Sequence, residues 1–83
     1  MYGLDEGLAF GKVLRDRRKS ACLTQEQLAL EAGVQRNYIS LIERGVHQPT
    51  LPMIFKLAAA LKCQPSALVV DVEALVNRTI GPS

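Results

Sequence analysis

Arg36, Asn37, Ser40 and Arg44 recur at spacings that place them, with Gln35, on the outer side of a short helix, while Ile39 and Ile42 between them face inward. Side chains of these types hydrogen-bond and carry charge. The chemistry they offer is therefore recognition of a polar or anionic surface rather than bond breaking. Nothing elsewhere in the chain supplies a reaction: no glycine-rich phosphate loop, catalytic triad or carboxylate dyad can be assembled, and no enzyme is expected. The sole histidine, His47, has no cysteine or carboxylate near it at ligand spacing, so neither a metal nor a cofactor is expected. Cys22 and Cys63 make no disulfide framework and are expected to be two reduced, buried thiols.

The charge distribution agrees with an anionic partner. Between Gly11 and Lys62 there are nine bases and four acids, both ends are acidic, and the whole chain carries only +2. A run such as Arg15-Asp16-Arg17-Arg18-Lys19 is by itself no more than a helix end favoured by the macrodipole. With 83 residues, 48% of them apolar, the chain fits one small self-folding domain, for which a partner subunit would help stability. No apolar stretch reaches the roughly 18 residues of a membrane span, and Met1–Phe10 lacks a basic start followed by an apolar stretch. A cytoplasmic protein with no membrane partner is expected. RNA is disfavoured, because the four aromatics (Tyr2, Phe10, Tyr38, Phe55) have no sheet to present them for base stacking.

These side chains must be positioned by helices. Phe10, Val13 and Leu14 mark a first helix over Leu8–Lys19, with its cations in the last turns. Thr24-Gln25-Glu26-Gln27 is a capping box that opens a second helix, with Leu28, Ala29 and Ala32 inward and Gly33 closing it through a positive φ. Val34 is a buried spacer. The third helix takes Arg36–Arg44 and ends at Gly45; Val46–Gln48 form a loop; Thr50 caps a fourth helix that tolerates Pro52 in its first turn. Ile54, Leu57, Ala58 and Leu61 form its core stripe. Pro65 starts a fifth helix, and residues 70–76 suit either its continuation or a strand. The fold class is therefore all-α, a compact five-helix bundle. Residues 1–7 are expected to be a flexible arm, 8–77 the domain and 78–83 a tail.

Helices two and three, joined by a glycine turn, form a helix-turn-helix pattern. In that geometry the second helix lies across a duplex backbone and the third presents its N-terminal residues to the major groove, which is wide enough to admit a helix. Ala29 must be small because the two helices cross there.

Leu23-Thr24-Gln25-Glu26-Gln27-Leu28-Ala29, Ala32-Gly33-Val34, Tyr38-Ile39-Ser40-Leu41-Ile42-Glu43-Arg44-Gly45 and Pro49-Thr50-Leu51 together resemble the Xre family of phage-repressor-type (lambda repressor-like) helix-turn-helix proteins. The run Arg36–Ser40 is also similar to the recognition helix of restriction-modification controller proteins. The resemblance implies a homodimeric transcriptional regulator on double-stranded DNA. It implies that Gln25 contacts a phosphate and supports base reading, and that Arg36 and Asn37 are the main readers, with Gln35 and Ser40 secondary. Arginine can donate two bonds to guanine, and asparagine can pair with adenine, each discriminating by about 1–3 kcal/mol. The resemblance also pairs Arg18 with Glu43 and sets the amides of Val46–Gln48 against a phosphate. His47 is a candidate near that phosphate, Tyr38 either stacks on sugar-phosphate or packs against its own domain, and Arg44 lies on the outer face. Two positions depart from the family pattern. Cys22 stands where glycine is common, so the first helix is expected to exit under strain or with another cap, and Gln35 stands where serine or threonine caps the third helix.

DNA binding alone needs no apolar C-terminal segment. Leu68, Val69, Val72, Leu75 and Val76 are accordingly expected to form a twofold dimer seam, which would set two recognition helices roughly 34 Å apart. The alternative is an antitoxin-type protein whose apolar surface binds a toxin partner while the same domain also binds its own operator.

Overall fold

Asp5 accepts a hydrogen bond from the Leu8 amide at 2.8 Å and so starts the first helix, α1, at Glu6. The structure is a computed structural model and describes residues 5–80, with side chains through Arg78. The elements are α1 (Glu6–Ser20), α2 (Gln25–Ala32), α3 (Arg36–Glu43), α4 (Leu51–Leu61) and α5 (Pro65–Ile80). Helix α1 begins two residues ahead of the expected Leu8 because the Asp5 cap and Glu6 in the first turn favour it there. Glu6 and Gly7 are thus helical rather than part of an arm, and residues 1–4 lie outside the described residues.

Residues 70–76 are helical, and no strand occurs among the described residues. Tertiary packing overrides the β-propensity of Val69-Val70-Asp71-Val72: Leu68 is buried in the core, and Val72 and Leu75 pack against it from the same helical face. Helix α5 runs on through Arg78 to Ile80, so the first part of the expected tail is helical; residues 81–83 lie outside the described residues. No single helix among the described residues is long and apolar enough to cross a membrane.

Four helix exits use the same closure. After α1 the Cys22 amide bonds Lys19 O at 2.9 Å and the Leu23 amide bonds Arg18 O at 3.1 Å, the paired bonds of a Schellman motif. The same pattern recurs at Gly33, Gly45 and Lys62. Each of the four turning residues has a positive φ, between 59° at Lys62 and 76° at Gly45. Glycine adopts that region freely, whereas Cys22 and Lys62 hold it against their Cβ atoms. The strained exit expected at Cys22 is thus a left-handed residue in an otherwise ordinary cap. This geometry leaves Cys22 exposed and Cys63 half-buried, so neither thiol is the buried core residue expected from the sequence.

Leu14, Leu28, Ile39, Ile42, Leu57 and Leu68 are the largest fully buried side chains. Each contributes about 1.5–3 kcal/mol relative to exposure. Rather than joining a dimer seam as expected, Leu68 fills the protomer's own core and has no surface left for a partner. Gly11 sits inside α1, where glycine costs about 1 kcal/mol against alanine. A Cβ there would come within 2.6 Å of Ile42 O and 2.7 Å of Glu43 O, so glycine is what lets α1 lie directly on the last turn of α3.

Candidate nucleic-acid interface

Helix α2 is fixed at both ends. The Gln27 amide donates to Thr24 Oγ1 at 3.0 Å, the Thr24 amide donates to Gln27 Oε1 at 2.8 Å, and Gly33 closes the far end. The turn Gly33-Val34-Gln35 then delivers α3, whose Ile39 and Ile42 are fully buried. Gln35 precedes α3 without any side-chain cap. That leaves its amide unspent where serine or threonine would have turned back onto the helix.

With its inner face sealed, α3 exposes Arg36 and Asn37 in its first turn, Gln35 just before them and Arg44 at its end. Ser40 is half-buried one turn further on. Tyr38 is also half-buried and packs against the core, with its ring centroid 6.1 Å from that of exposed His47 and the planes tilted by 34°. The loop carrying His47 is tied back to α3, because the amides of Val46 and His47 both donate to Leu41 O, at 2.9 and 3.2 Å.

A hydrogen-bonded chain runs from the interior to this surface. Arg18 donates from Nε to Glu43 Oε2 at 2.6 Å, from Nη2 to Glu43 Oε1 at 3.1 Å, and from Nη1 to Leu23 O at 2.8 Å. Gln25 Nε2 donates to Glu43 Oε1 at 3.0 Å, and Arg36 Nη1 makes a long contact of 3.5 Å to Gln25 Oε1. The Arg18 and Glu43 partners join as the resemblance implied. Gln25 turns its amide to Glu43 on one side and to exposed Arg36 on the other.

No local pattern in the sequence singles out Arg17, whose Nε donates to Asp71 Oδ2 at 2.8 Å and links α1 to α5. That hydrogen bond raises the Arg17 pKa further, with desolvation opposing it. A contact so exposed contributes little to stability. Two of the cations in the α1 run, Arg17 and Arg18, are thus held by carboxylates, whereas Arg36 and Arg44 stand exposed at the two ends of α3. Among the described residues no group of histidine, cysteine and carboxylate side chains could hold a metal ion.

The helix-turn-helix family profile matches residues 14–68, from the buried Leu14 of α1 to the buried Leu68 of α5. The chain belongs to this Xre-type helix-turn-helix family of transcriptional regulators. Among its helix-turn-helix relatives, the control protein C.BamHI of Bacillus amyloliquefaciens is 43% identical over 63 residues, which is 75% of this chain and 78% of that protein. The transcriptional regulator SlrR of Bacillus subtilis is 37% identical over 72 residues, 86% of this chain, and this chain spans only about half (47%) of its length. The crystal structure of the restriction-modification controller protein C.AhdI from Aeromonas hydrophila superposes with a TM-score of 0.72 at 41% identity, covering 74% of this chain and 88% of that one.

Proposed function

We propose that the chain is a sequence-specific double-stranded DNA-binding regulator of transcription that acts as a homodimer on a palindromic operator. The observation that carries this reading is the exposure of Gln35, Arg36 and Asn37 at the leading end of a helix whose opposite face is sealed in the core. Arg36 and Asn37 have the donor and acceptor sets that pair with guanine and adenine edges, and Gln35 and Ser40 assist them. Tyr38 on the same helix, with Arg44 and His47 just beyond it, takes backbone contacts, which set register rather than sequence. The net basic middle of the chain supports an anionic partner.

The dimeric part of the reading is supported by apolar surface on α4 and α5. Leu51, Phe55, Val69 and Val70 remain 66%, 56%, 50% and 58% exposed. In this reading Val69 lies in the seam, and half-buried Val72, Leu75 and Val76 flank it. Leu51, Phe55 and Val70 join them where sequence reasoning does not place them. Selection of bound duplexes from a random pool tests the reading. A motif with twofold symmetry is expected, with sedimentation of the free protein at twice the protomer mass. A protein that enriches a motif and also holds a toxin-type protein on this apolar surface would replace the reading with the antitoxin one, and a pool that enriches no motif would overturn DNA recognition itself.

A further inference from the structure

A cleft of about 230 Å³ lies between α1 and α5, lined by Val13, Asp16, Arg17, Asp71, Leu75 and Arg78. The helix period brings these residues together: Val13, Asp16 and Arg17 share one side of α1, and Asp71, Leu75 and Arg78 follow at i, i+4 and i+7 on α5. Val13 is buried and Leu75 half-buried, so the apolar part of the lining is aliphatic.

The charged part is two carboxylates and two guanidiniums. One pair is closed: Arg17 Nε donates to Asp71 Oδ2 at 2.8 Å, which takes up one of the five N–H donors of the arginine and one oxygen of the carboxylate. Asp16 and Arg78 are exposed and, among the described residues, neither makes an ion pair. A cleft that holds an unpaired anion and an unpaired cation beside a half-used ion pair is complementary to a molecule carrying both charges itself. A simple anion or cation would meet a like charge as well as an opposite one.

We propose that this cleft binds a zwitterionic aliphatic α-amino acid, its ammonium group held by Asp16 and Asp71, its carboxylate by Arg17 and Arg78, and its side chain against Val13 and Leu75. The inference goes beyond the DNA reading and needs neither that reading nor the dimer seam.

L-Leucine is the probe, compared with isoamylamine, which lacks its carboxylate, and isocaproate, which lacks its ammonium group. In carbon–proton spectra of the full chain, L-leucine is expected to shift the methyl signals of Val13 and Leu75 in a saturable way. Each analogue is expected to bind at least about fivefold more weakly, the scale of one exposed charge pair. Asp16→Asn and Arg78→Gln are each expected to weaken L-leucine binding by about fivefold while the circular dichroism spectrum stays that of the parent. Lys19→Gln makes the same charge change as Arg78→Gln at an exposed α1 position outside the cleft, and is expected to leave binding unchanged. No saturable shift up to the solubility limit of L-leucine, an analogue that binds as tightly, or cleft variants that bind like the parent would each overturn the proposal. Equal losses in Lys19→Gln and Arg78→Gln would overturn it too, since they would report net charge rather than a site.

Discussion

The guanidinium of Arg18 and the carboxylate of Glu43 meet at two points, 2.6 and 3.1 Å, in side chains only 10% and 3% exposed. Because the remaining Arg18 bond goes to Leu23 O, one side chain ties α1 to the start of α2 and to the last turn of α3. The buried charges are matched and hydrogen-bonded, which is the condition under which such a pair is tolerated.

Arg18→Ala and Glu43→Ala are each expected to destabilise the fold by about 3–5 kcal/mol, since each strands a buried charge. Replacing both with apolar residues of similar size, Arg18→Met with Glu43→Leu, is expected to recover most of that loss. Urea unfolding followed by far-ultraviolet circular dichroism measures it. Single variants within about 1 kcal/mol of the parent would show that the pair is not the staple described.

Gly11→Ala separates helix propensity from packing. Alanine should gain about 1 kcal/mol in an open helix. Here its Cβ would press on the carbonyl oxygens of Ile42 and Glu43, so a net loss of about 1–3 kcal/mol is expected in the same unfolding experiment. A gain would mean that α1 can move off α3 at no cost.

Cys22→Gly and Lys62→Gly are expected to stabilise the protein by about 0.5–1 kcal/mol each. Holding a residue with a Cβ in the left-handed region costs about 1–2 kcal/mol, and glycine returns part of that as unfolded-chain entropy. Thermal unfolding midpoints should rise in both variants, whereas Ala21→Gly, one residue before the turn where φ is −85°, should lower the midpoint.

The helices and their inward stripes are legible in the sequence because period and capping are local signals. The Thr24 capping box, the Thr50 cap and the positive φ at Gly33 and Gly45 all lie within a few residues of what they control. Spacing alone places Ile39 and Ile42 inward and Gln35, Arg36 and Asn37 outward. Contacts between residues distant in sequence are not legible in this way. Arg17 and Asp71 are far apart along the chain, and the path of α5 across α1 is what joins them. The inward turn of Gln25 depends on where the end of α3 falls, and Leu68 belongs to the core only because α5 folds back over α1 and α4. Gly11 does carry a signal, since an isolated glycine within a helical pattern often marks a close approach.

Leu68→Ala and Phe55→Ser should distinguish the protomer's own core from the proposed dimer seam. Loss of the fully buried Leu68 is expected to cost about 2–5 kcal/mol of stability. Phe55→Ser should leave the helical spectrum unchanged while lowering the sedimenting mass towards that of a single protomer. A Phe55→Ser protein that keeps the parent's sedimentation behaviour would place the seam elsewhere.

The proposed regulatory role depends on the leading end of α3 reading base pairs, and Arg36→Ala is the sharpest probe of that. Binding to the selected duplex and to a full set of singly substituted duplexes gives the preference at each position. The variant is expected to lose its preference, by about fivefold or more, at one pair in each half of the motif while keeping it elsewhere. Parent-like discrimination at every position would show that Arg36 reads no base.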